Sequence, residues 1–212
     1  MTDPTDKRAL RAAIRAARAA RPPHERAHAA EAIAAHVLGL PELAAAGCVT
    51  AYCSYGGEPG TAPLLAGLVG RGVRVLLPVV HDGEDLGWAE YDGPGSVAES
   101  PRGIPEPVGP ELGRGAQTLQ RSEVTVLLIP ATAVDRAGAR LGQGRGYYDR
   151  VLADLPRYGD GGPLRVALVH DEELLDVGAV PVEPHDGPVD AVVTDRRVLR
   201  VGNPAPAPPP AG

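Results

Sequence analysis

The residues with the clearest chemical potential lie at positions 140–149, in the sequence RLGQGRGYYD. Glycines alternate there at Gly142, Gly144 and Gly146, and glycine lets the backbone take positive φ and approach a ligand closely. Successive backbone N–H groups before a helix bind anions, and Arg140 and Arg145 add guanidinium groups for phosphate oxygens. The motif predicts a phosphate site, against the alternative of a tight strand-to-helix turn.

Two aspartates are candidate Mg²⁺ ligands. Asp149 lies in the first turn of the helix predicted after the glycines, and Asp186 lies in a loop before a predicted strand. Mg²⁺ prefers a few carboxylates together with phosphate oxygens and water. Each residue also has a simpler interpretation, because Asp149 can complement the helix dipole and Asp186 can serve a turn.

A third candidate is Glu58, in the segment SYGGEPGT that follows the first predicted strand. In open α/β sheets, ligands bind outside the carboxyl ends of the strands. Glu58 could therefore accept hydrogen bonds from a polar heterocycle. The alternative is a solvated glutamate in a turn.

The start of the chain is basic, although the formal net charge of the whole chain is −6. Lys7 is the single lysine, and Arg8 and Arg11 lie within about one helical turn of it. A basic arm can dock on the acidic remainder of the protein or bind an anionic ligand. The alternative is a solvated basic helix face.

The two cysteines and six histidines do not suggest a nucleophile or a metal site. Cys48 and Cys53 are five residues apart in one predicted strand, so their side chains point to opposite faces and cannot form a disulfide. We expect a reducing, cytoplasmic location. The histidines lack the spacing typical of metal ligands.

The pattern of helices and strands predicts an α/β fold with a mostly parallel sheet covered on both faces. In the first helix, the side chains expected to face the core are Leu10, Ala13, Ile14 and Ala17, and Arg18 is expected to lie off this apolar stripe. In the second helix, Ala27 is expected to face the core. The predicted helices are residues 5–21, 23–38, 62–70 and 147–155. The predicted strands are residues 48–54, 73–77, 86–91, 124–129, 164–169 and 189–194, the last of these ending the sheet.

Other segments define the limits of the domain. Residues 1–201 are predicted to form a single α/β domain with a helical N-terminal arm at residues 1–40, and residues 202–212 to be a disordered tail rich in Pro and Ala. Residues 92–122 are expected to be irregular, and Asp135 to lie in a loop. No apolar run is long enough to span a membrane, no secretory signal is present, and the acidic balance argues against nucleic-acid binding.

Taken in order, these motifs resemble those of 5-formyltetrahydrofolate cyclo-ligases, also called methenyltetrahydrofolate synthetases. The resemblance covers nearly the whole chain and is most specific at residues 140–149. Two positions depart from the usual family pattern, because Tyr55 stands where many members have Met, and Gln143 with Arg145 where mixtures of Arg and Lys are common. The other matching segments are residues 7–11, 56–61, 103–107, 129–130, 135, 182–186 and 190–194.

The resemblance implies a three-layer Rossmann-like α/β/α sandwich of the sugar-isomerase and CoA-transferase-like kind. It implies binding of ATP by Lys7, Arg8, Ala9, Leu10, Arg11, Arg140, Leu141, Gly142, Gln143, Gly144, Arg145, Gly146, Tyr147 and Tyr148. It implies a folate pocket lined by Cys53, Glu58, Tyr147 and Tyr148. Arg145 and Tyr148 would be catalytic, and Asp149 and Asp186 would hold Mg²⁺.

The activity that the resemblance implies is the ATP- and Mg²⁺-dependent cyclisation of 5-formyltetrahydrofolate to 5,10-methenyltetrahydrofolate. Phosphorylation of the formyl oxygen would make it a leaving group, so that no protein nucleophile is required. The partners would be these small molecules, with no nucleic acid or membrane, and we expect a monomer. The competing hypothesis is a non-catalytic regulator that binds a nucleotide or phosphosugar on the same fold.

Overall fold

The computed structural model describes residues 4–83, 85–183 and 186–202 as a mixed α/β fold. Its α-helices are α1 (Pro4–Ala20), α2 (Pro23–Leu38), α3 (Pro41–Ala44), α4 (Ala62–Gly70), α5 (Gly115–Arg121) and α6 (Tyr147–Ala153). The first strands are β1 (Cys48–Thr50), β2 (Arg74–Val79), β3 (Gly87–Glu90), β4 (Val97–Glu99), β5 (Pro105–Pro107) and β6 (Glu111–Arg114). The remaining strands are β7 (Val126–Pro130), β8 (Ala133–Asp135), β9 (Arg140–Leu141), β10 (Leu164–Leu168), β11 (Leu174–Leu175), β12 (Ala191–Val193) and β13 (Val198–Arg200).

The central sheet has the strand order β13-β12-β10-β7-β1-β2-β3-β6. The five central strands are parallel to one another: β12, β10, β7, β1 and β2. The outer strands pair antiparallel, β13 with β12 at one edge, and β3 with β2 and β6 with β3 at the other. This confirms the predicted α/β fold with a mostly parallel sheet. Because parallel strands end at the same edge, the loops after β1, β2 and β7 converge there.

Hydrophobic side chains bury both faces of this sheet. Along β2, Val75 belongs to a cluster that includes Ile33 of α2, whereas the next residue, Leu76, belongs to a second cluster with Leu119 of α5 and Leu152 of α6. Successive strand residues point to opposite faces, so the nearly all-apolar strands reflect burial on two sides. Helix α2 thus packs on one face of the sheet, and α5 and α6 pack on the other.

The first helix packs on the body differently from the prediction. Ile14 is buried as expected, but Ala13 and Ala17 are exposed, and Arg18 is 3% exposed. Its guanidinium forms two hydrogen bonds with the buried carboxylate of Glu173. Alanine carries too little apolar surface to decide which face of a helix is buried, so a paired arginine takes that place.

Five smaller predictions are also corrected. Residues 92–122 contain β4, β5, β6 and α5, so this segment is not irregular, and Asp135 lies in β8 and not in a loop. Ala27 is exposed, and Ala29 faces inward in its place. Strand β1 is shorter than predicted, and β13 follows β12 at the edge. Strands of two to four residues are too short for a two-residue period to be visible in the sequence.

None of the helices in the described ranges is both long and apolar enough to cross a membrane. Both cysteines are free, and they contact opposite clusters of the core, as predicted from their spacing. In the predicted tail, residues 203–212 lie outside the described residues.

Candidate active site

A cavity of about 290 Å³ lies among the loops at the carboxyl edge of the sheet. Eight of the ten residues at positions 140–149 line it, all except Leu141 and Gly144, and Cys53 and Glu58 line it from the segment after β1. The rest of the wall comes from Tyr52, Tyr55, Pro78, Val80, Leu86, Arg102, Ile104, Pro105 and Pro130. The structure thus brings together the two motifs that the sequence predicts to bind ATP and folate.

The glycine-rich motif needs glycine at two of its positions. Gly144 has φ +98° and Gly146 has φ +68°, and side chains are rarely tolerated at such angles. These angles turn the chain from β9 into α6, which is shorter than predicted. This loop is therefore suited to an anion because of its backbone N–H groups and the side chains of Arg140 and Arg145. The dipole of a seven-residue helix contributes less.

Glu58 is a buried carboxylate and not a solvated turn residue, since the residue is 7% exposed. The positive φ angles of Gly56 and Gly57 fold the turn so that the side chain points inward. The backbone N–H of Tyr55 donates to Oε2 at 3.2 Å, and the side-chain amide of Gln143 donates to Oε1 at 3.0 Å. Burial raises the pKa of Glu58, whereas these two hydrogen bonds and the nearby Arg18 lower it.

Three buried polar atoms around the cavity have no hydrogen-bond partner: the hydroxyls of Tyr52 and Tyr148, and Nε of Arg140. Burial raises the pKa values of both tyrosines well above the ordinary range, so both are protonated donors at neutral pH. A buried donor without a partner costs about 1–3 kcal/mol. A polar ligand could supply these partners.

Cys53 is half-buried, and burial raises the pKa of its thiol. The thiolate is the nucleophilic form of cysteine. Cys53 is therefore suited to line a pocket and not to attack a substrate.

The two predicted metal ligands each form an ion pair with a predicted ATP-binding residue. Oδ1 of Asp149 accepts a hydrogen bond from Arg140. Oδ2 of Asp186 is 2.8 Å from Nζ of Lys7, which is also 3.2 Å from Glu183. Among the residues that the structure describes, no group of three His, Cys, Asp or Glu side chains could hold a metal ion by itself.

The N-terminal arm contacts two residues of the cavity wall, Gly142 and Gln143, through α1. Nε of Arg11 donates to the carbonyl oxygen of Gly142 at 2.9 Å, and Nη2 of Arg15 donates to Oε1 of Gln143 at 2.9 Å. Arg18 anchors the helix through Glu173 and the carbonyl oxygens of Ala131 and Thr132. The arm therefore supports the glycine-rich motif from outside the cavity.

Other predicted residues of the arm do not reach the cavity. Arg8 and Ala9 are exposed to solvent. Leu10 is partly buried and packs in the cluster that contains Ile14 and Leu141, which explains why Leu141 also lies outside the cavity lining.

Sequence reasoning missed several residues that shape this site. Tyr52 lines the cavity, and Arg18 with Glu173 fixes the helix beside it. Arg102 lies at the cavity wall and forms an ion pair with Asp82. The position of Tyr52 near the carboxyl end of the predicted strand 48–54 was a usable signal, whereas nothing in the sequence pairs Arg18 with a carboxylate 155 residues away.

A family model described as the 5-formyltetrahydrofolate cyclo-ligase family matches residues 3–195. The 5-formyltetrahydrofolate cyclo-ligase of Mycolicibacterium smegmatis is 39% identical over 199 residues, which cover 92% of this chain and 96% of the relative. The 5-formyltetrahydrofolate cyclo-ligase of Escherichia coli (strain K12) is 33% identical over 187 residues, which cover 87% of this chain and 98% of the relative. The NMR structure of Aquifex aeolicus 5,10-methenyltetrahydrofolate synthetase matches with a TM-score of 0.74 and 26% identity, covering 95% of this chain and 96% of that one. Since the match extends over nearly the whole of both partners, the chain belongs to the 5-formyltetrahydrofolate cyclo-ligase family.

Proposed function

We propose that this chain uses ATP to convert 5-formyltetrahydrofolate into 5,10-methenyltetrahydrofolate, with release of ADP and phosphate. The observation that carries the proposal is a single cavity that joins the glycine-rich motif to Glu58. The names of the relatives point to the same activity. A phosphate donor and a folate could meet in such a cavity.

ATP is proposed to bind at residues 7–11 and 140–148. The alternating glycines leave backbone N–H groups accessible for phosphate oxygens, and Arg140 and Arg145 lie on the cavity wall. Arg11 donates a hydrogen bond to the carbonyl oxygen of Gly142, so it stabilises the loop as well as adding positive charge. Lys7 would exchange its carboxylate partners for phosphate when ATP binds.

5-Formyltetrahydrofolate is proposed to bind against Cys53, Glu58, Tyr147 and Tyr148. Glu58 is held so that it can accept hydrogen bonds from N–H groups of the reduced pterin. The tyrosine rings and Cys53 offer apolar surface for a flat heterocycle. The unpartnered hydroxyl of Tyr148 offers a donor for an oxygen of the ligand.

The reaction needs no nucleophile from the protein. The formyl oxygen attacks the γ-phosphorus, its bond to the bridging oxygen breaks, and ADP leaves. Nitrogen N10 then attacks the activated formyl carbon and the ring closes. The carbon–oxygen bond breaks to release phosphate, and the proton of N10 passes to the departing phosphate. Arg145 would neutralise charge on the transferring phosphoryl group, and Tyr148 would donate to the formyl-derived oxygen, so catalysis is positioning and charge neutralisation.

The residues fit a magnesium ion that arrives with ATP and not a metal site complete in the protein alone. Mg²⁺ held by Asp149 and Asp186 would supply positive charge that neutralises the phosphates. Asp149 and Asp186 supply hard oxygen donors, and each is balanced by a cation in the ligand-free chain. Arg140 and Lys7 would then be released to the phosphates.

The decisive experiment measures ADP release and the methenyl chromophore together, with ATP and 5-formyltetrahydrofolate. We expect both signals in equal amounts, and neither when one substrate is left out. The competing hypothesis of a non-catalytic nucleotide- or phosphosugar-binding regulator predicts ligand binding without either product. A chain that binds ATP but forms no methenyl product in the presence of Mg²⁺ would overturn the proposal.

A further inference from the structure

The side chain of Gln143 lies between the glycine-rich motif and Glu58. We propose that Gln143 is a positioning residue for the folate: it holds the carboxylate of Glu58 in the orientation that the substrate requires. This inference rests on the function proposed above and deepens it. It assigns to the folate side a side chain that the sequence motif groups with the ATP-binding residues.

The contacts of Gln143 determine which way its amide points. Nη2 of Arg15 lies 2.9 Å from Oε1, and an arginine can only donate, so this amide oxygen must be the acceptor. The amide nitrogen is thereby directed to Oε1 of Glu58, 3.0 Å away, where it donates. Arg15, Gln143 and Glu58 form a chain of two hydrogen bonds from α1 to the cavity.

Both oxygens of Glu58 are held by this arrangement, because the backbone N–H of Tyr55 donates to the other oxygen. An ionised carboxylate accepts on both oxygens, and each oxygen then retains a further lone pair for a ligand. The other charged and titratable groups that influence Glu58 are Arg18, Glu173, Tyr52, Tyr55 and Tyr148. Burial raises the pKa of Glu58, and the donor from Gln143 opposes that rise.

The test replaces Gln143 with methionine, which keeps the length of the side chain and removes both hydrogen bonds. Calorimetry measures the affinity for 5-formyltetrahydrofolate without nucleotide, and separately the affinity for ATP alone. A hydrogen bond to a charged group contributes enough for about a tenfold loss when it is removed. We expect Gln143→Met to bind the folate about tenfold more weakly and to lose less affinity for ATP than for the folate, because the contact proposed between residue 143 and ATP is made by the backbone, which methionine keeps. Gln117→Met, on the exposed side of α5, is the matched control and should change neither affinity.

A pH profile separates positioning from a general structural effect. The acidic limb of kcat/KM for the folate should move to higher pH in Gln143→Met, because Glu58 loses a donor that favours its ionised form. Gln143→Glu should move the limb further, since two neighbouring carboxylates resist joint ionisation. Unchanged folate affinity and an unmoved limb in Gln143→Met, or a loss confined to ATP, would overturn this inference while leaving the proposed function intact. A parent protein that neither binds nor converts the folate would overturn both.

Discussion

Glu58 shows how a side chain that is proposed to bind a ligand can oppose stability at the scale of one residue. The carboxylate is buried beside Tyr52 and Tyr148, and the loss of hydration raises its pKa despite the donors around it. A raised carboxyl pKa means that folding disfavours the ionised form, so its stabilising contribution is present at low pH and lost as pH rises through the folded pKa. Ionising Glu58 in the folded protein therefore lowers the stability of the ligand-free chain.

Glu58→Gln should make the ligand-free protein more stable and less active. We expect a higher Tm than the parent at pH 7.5, with the difference shrinking toward about pH 4, where the ordinary glutamate is protonated. We expect kcat/KM for the folate to fall by about 10- to 100-fold, because a charge-assisted hydrogen bond is lost. Thermal melts across pH and the methenyl chromophore measure the two effects. ATP binding measured alone serves as the control, and a variant with parental cyclisation would show that Glu58 does not contact the folate.

At the scale of elements, a strand, a loop and a helix position the site together. Strand β9 and helix α6 hold the ends of the glycine-rich loop, and Arg11 of α1 donates to the carbonyl oxygen of Gly142, the first residue of the loop. The backbone of this loop is the part that the proposed function gives to phosphate. Changes in the backbone of the loop should therefore act on ATP before they act on the folate.

Gly144→Ala tests the loop directly. Gly144 has φ +98°, and an added Cβ would lie 3.4 Å from Cζ of Arg11. Alanine at this position therefore strains the backbone of the loop and crowds the guanidinium of Arg11. Strain of this kind costs about 1–3 kcal/mol, and we expect ATP affinity to fall by about tenfold with little change in far-UV circular dichroism. Gly159→Ala, where a Cβ meets nothing within 4 Å, is the control. Parental ATP affinity by calorimetry would contradict a role for this backbone in phosphate binding.

Lys7→Ala tests the far end of α1. The proposed function predicts a raised KM for ATP or a lower kcat, because a phosphate-binding cation is removed. The ion pair with Asp186 also predicts a loss of about 1 kcal/mol in stability, which the sequence alone does not indicate. Lys7→Arg should recover most of the kinetic loss and most of the stability. Arg26→Ala, on the exposed side of α2, should change neither the kinetics nor the stability. Steady-state kinetics and urea denaturation measure these outcomes, and unchanged kinetics after deletion of residues 1–11 would count against the arm.

At the scale of the whole molecule, the local sequence pattern predicted the sheet and the grouping of the motifs. It could not predict which side chains pair over long distances in the sequence. A continuous apolar run indicates the buried strand β7, a mostly apolar run that contains Arg165 indicates β10, and the unusual spacing of the glycines indicates the motif at residues 140–149. The burial of Arg18 could not be predicted, because its partners Glu173 and Ala131 are close to it only in the folded chain. The short strands β4 and β5 were missed because each has only three residues and both lie in a segment rich in proline and glycine.

Arg18→Met should destabilise the whole protein, because it leaves the carboxylate of Glu173 buried without its cation. Breaking a buried ion pair in this way costs about 3–5 kcal/mol. The double variant Arg18→Met/Glu173→Gln should recover part of that loss, since no unpaired charge then remains. Urea denaturation measures both free energies of unfolding. Equal losses in the single and double variants would show that packing, and not the unpaired charge, dominates.

The pairing of Arg18 with Glu173 also has a consequence for synthesis on the ribosome. The helix that supports the glycine-rich loop is made first, but its anchoring carboxylate follows 155 residues later. At about 5–20 residues per second, the guanidinium of Arg18 remains without this carboxylate for about 8–30 s. All the residues that line the cavity are made in that interval, since the last of them is Asp149. Anchoring of α1 beside the glycine-rich loop must therefore follow the synthesis of the cavity wall and be a late event in the biogenesis of this protein.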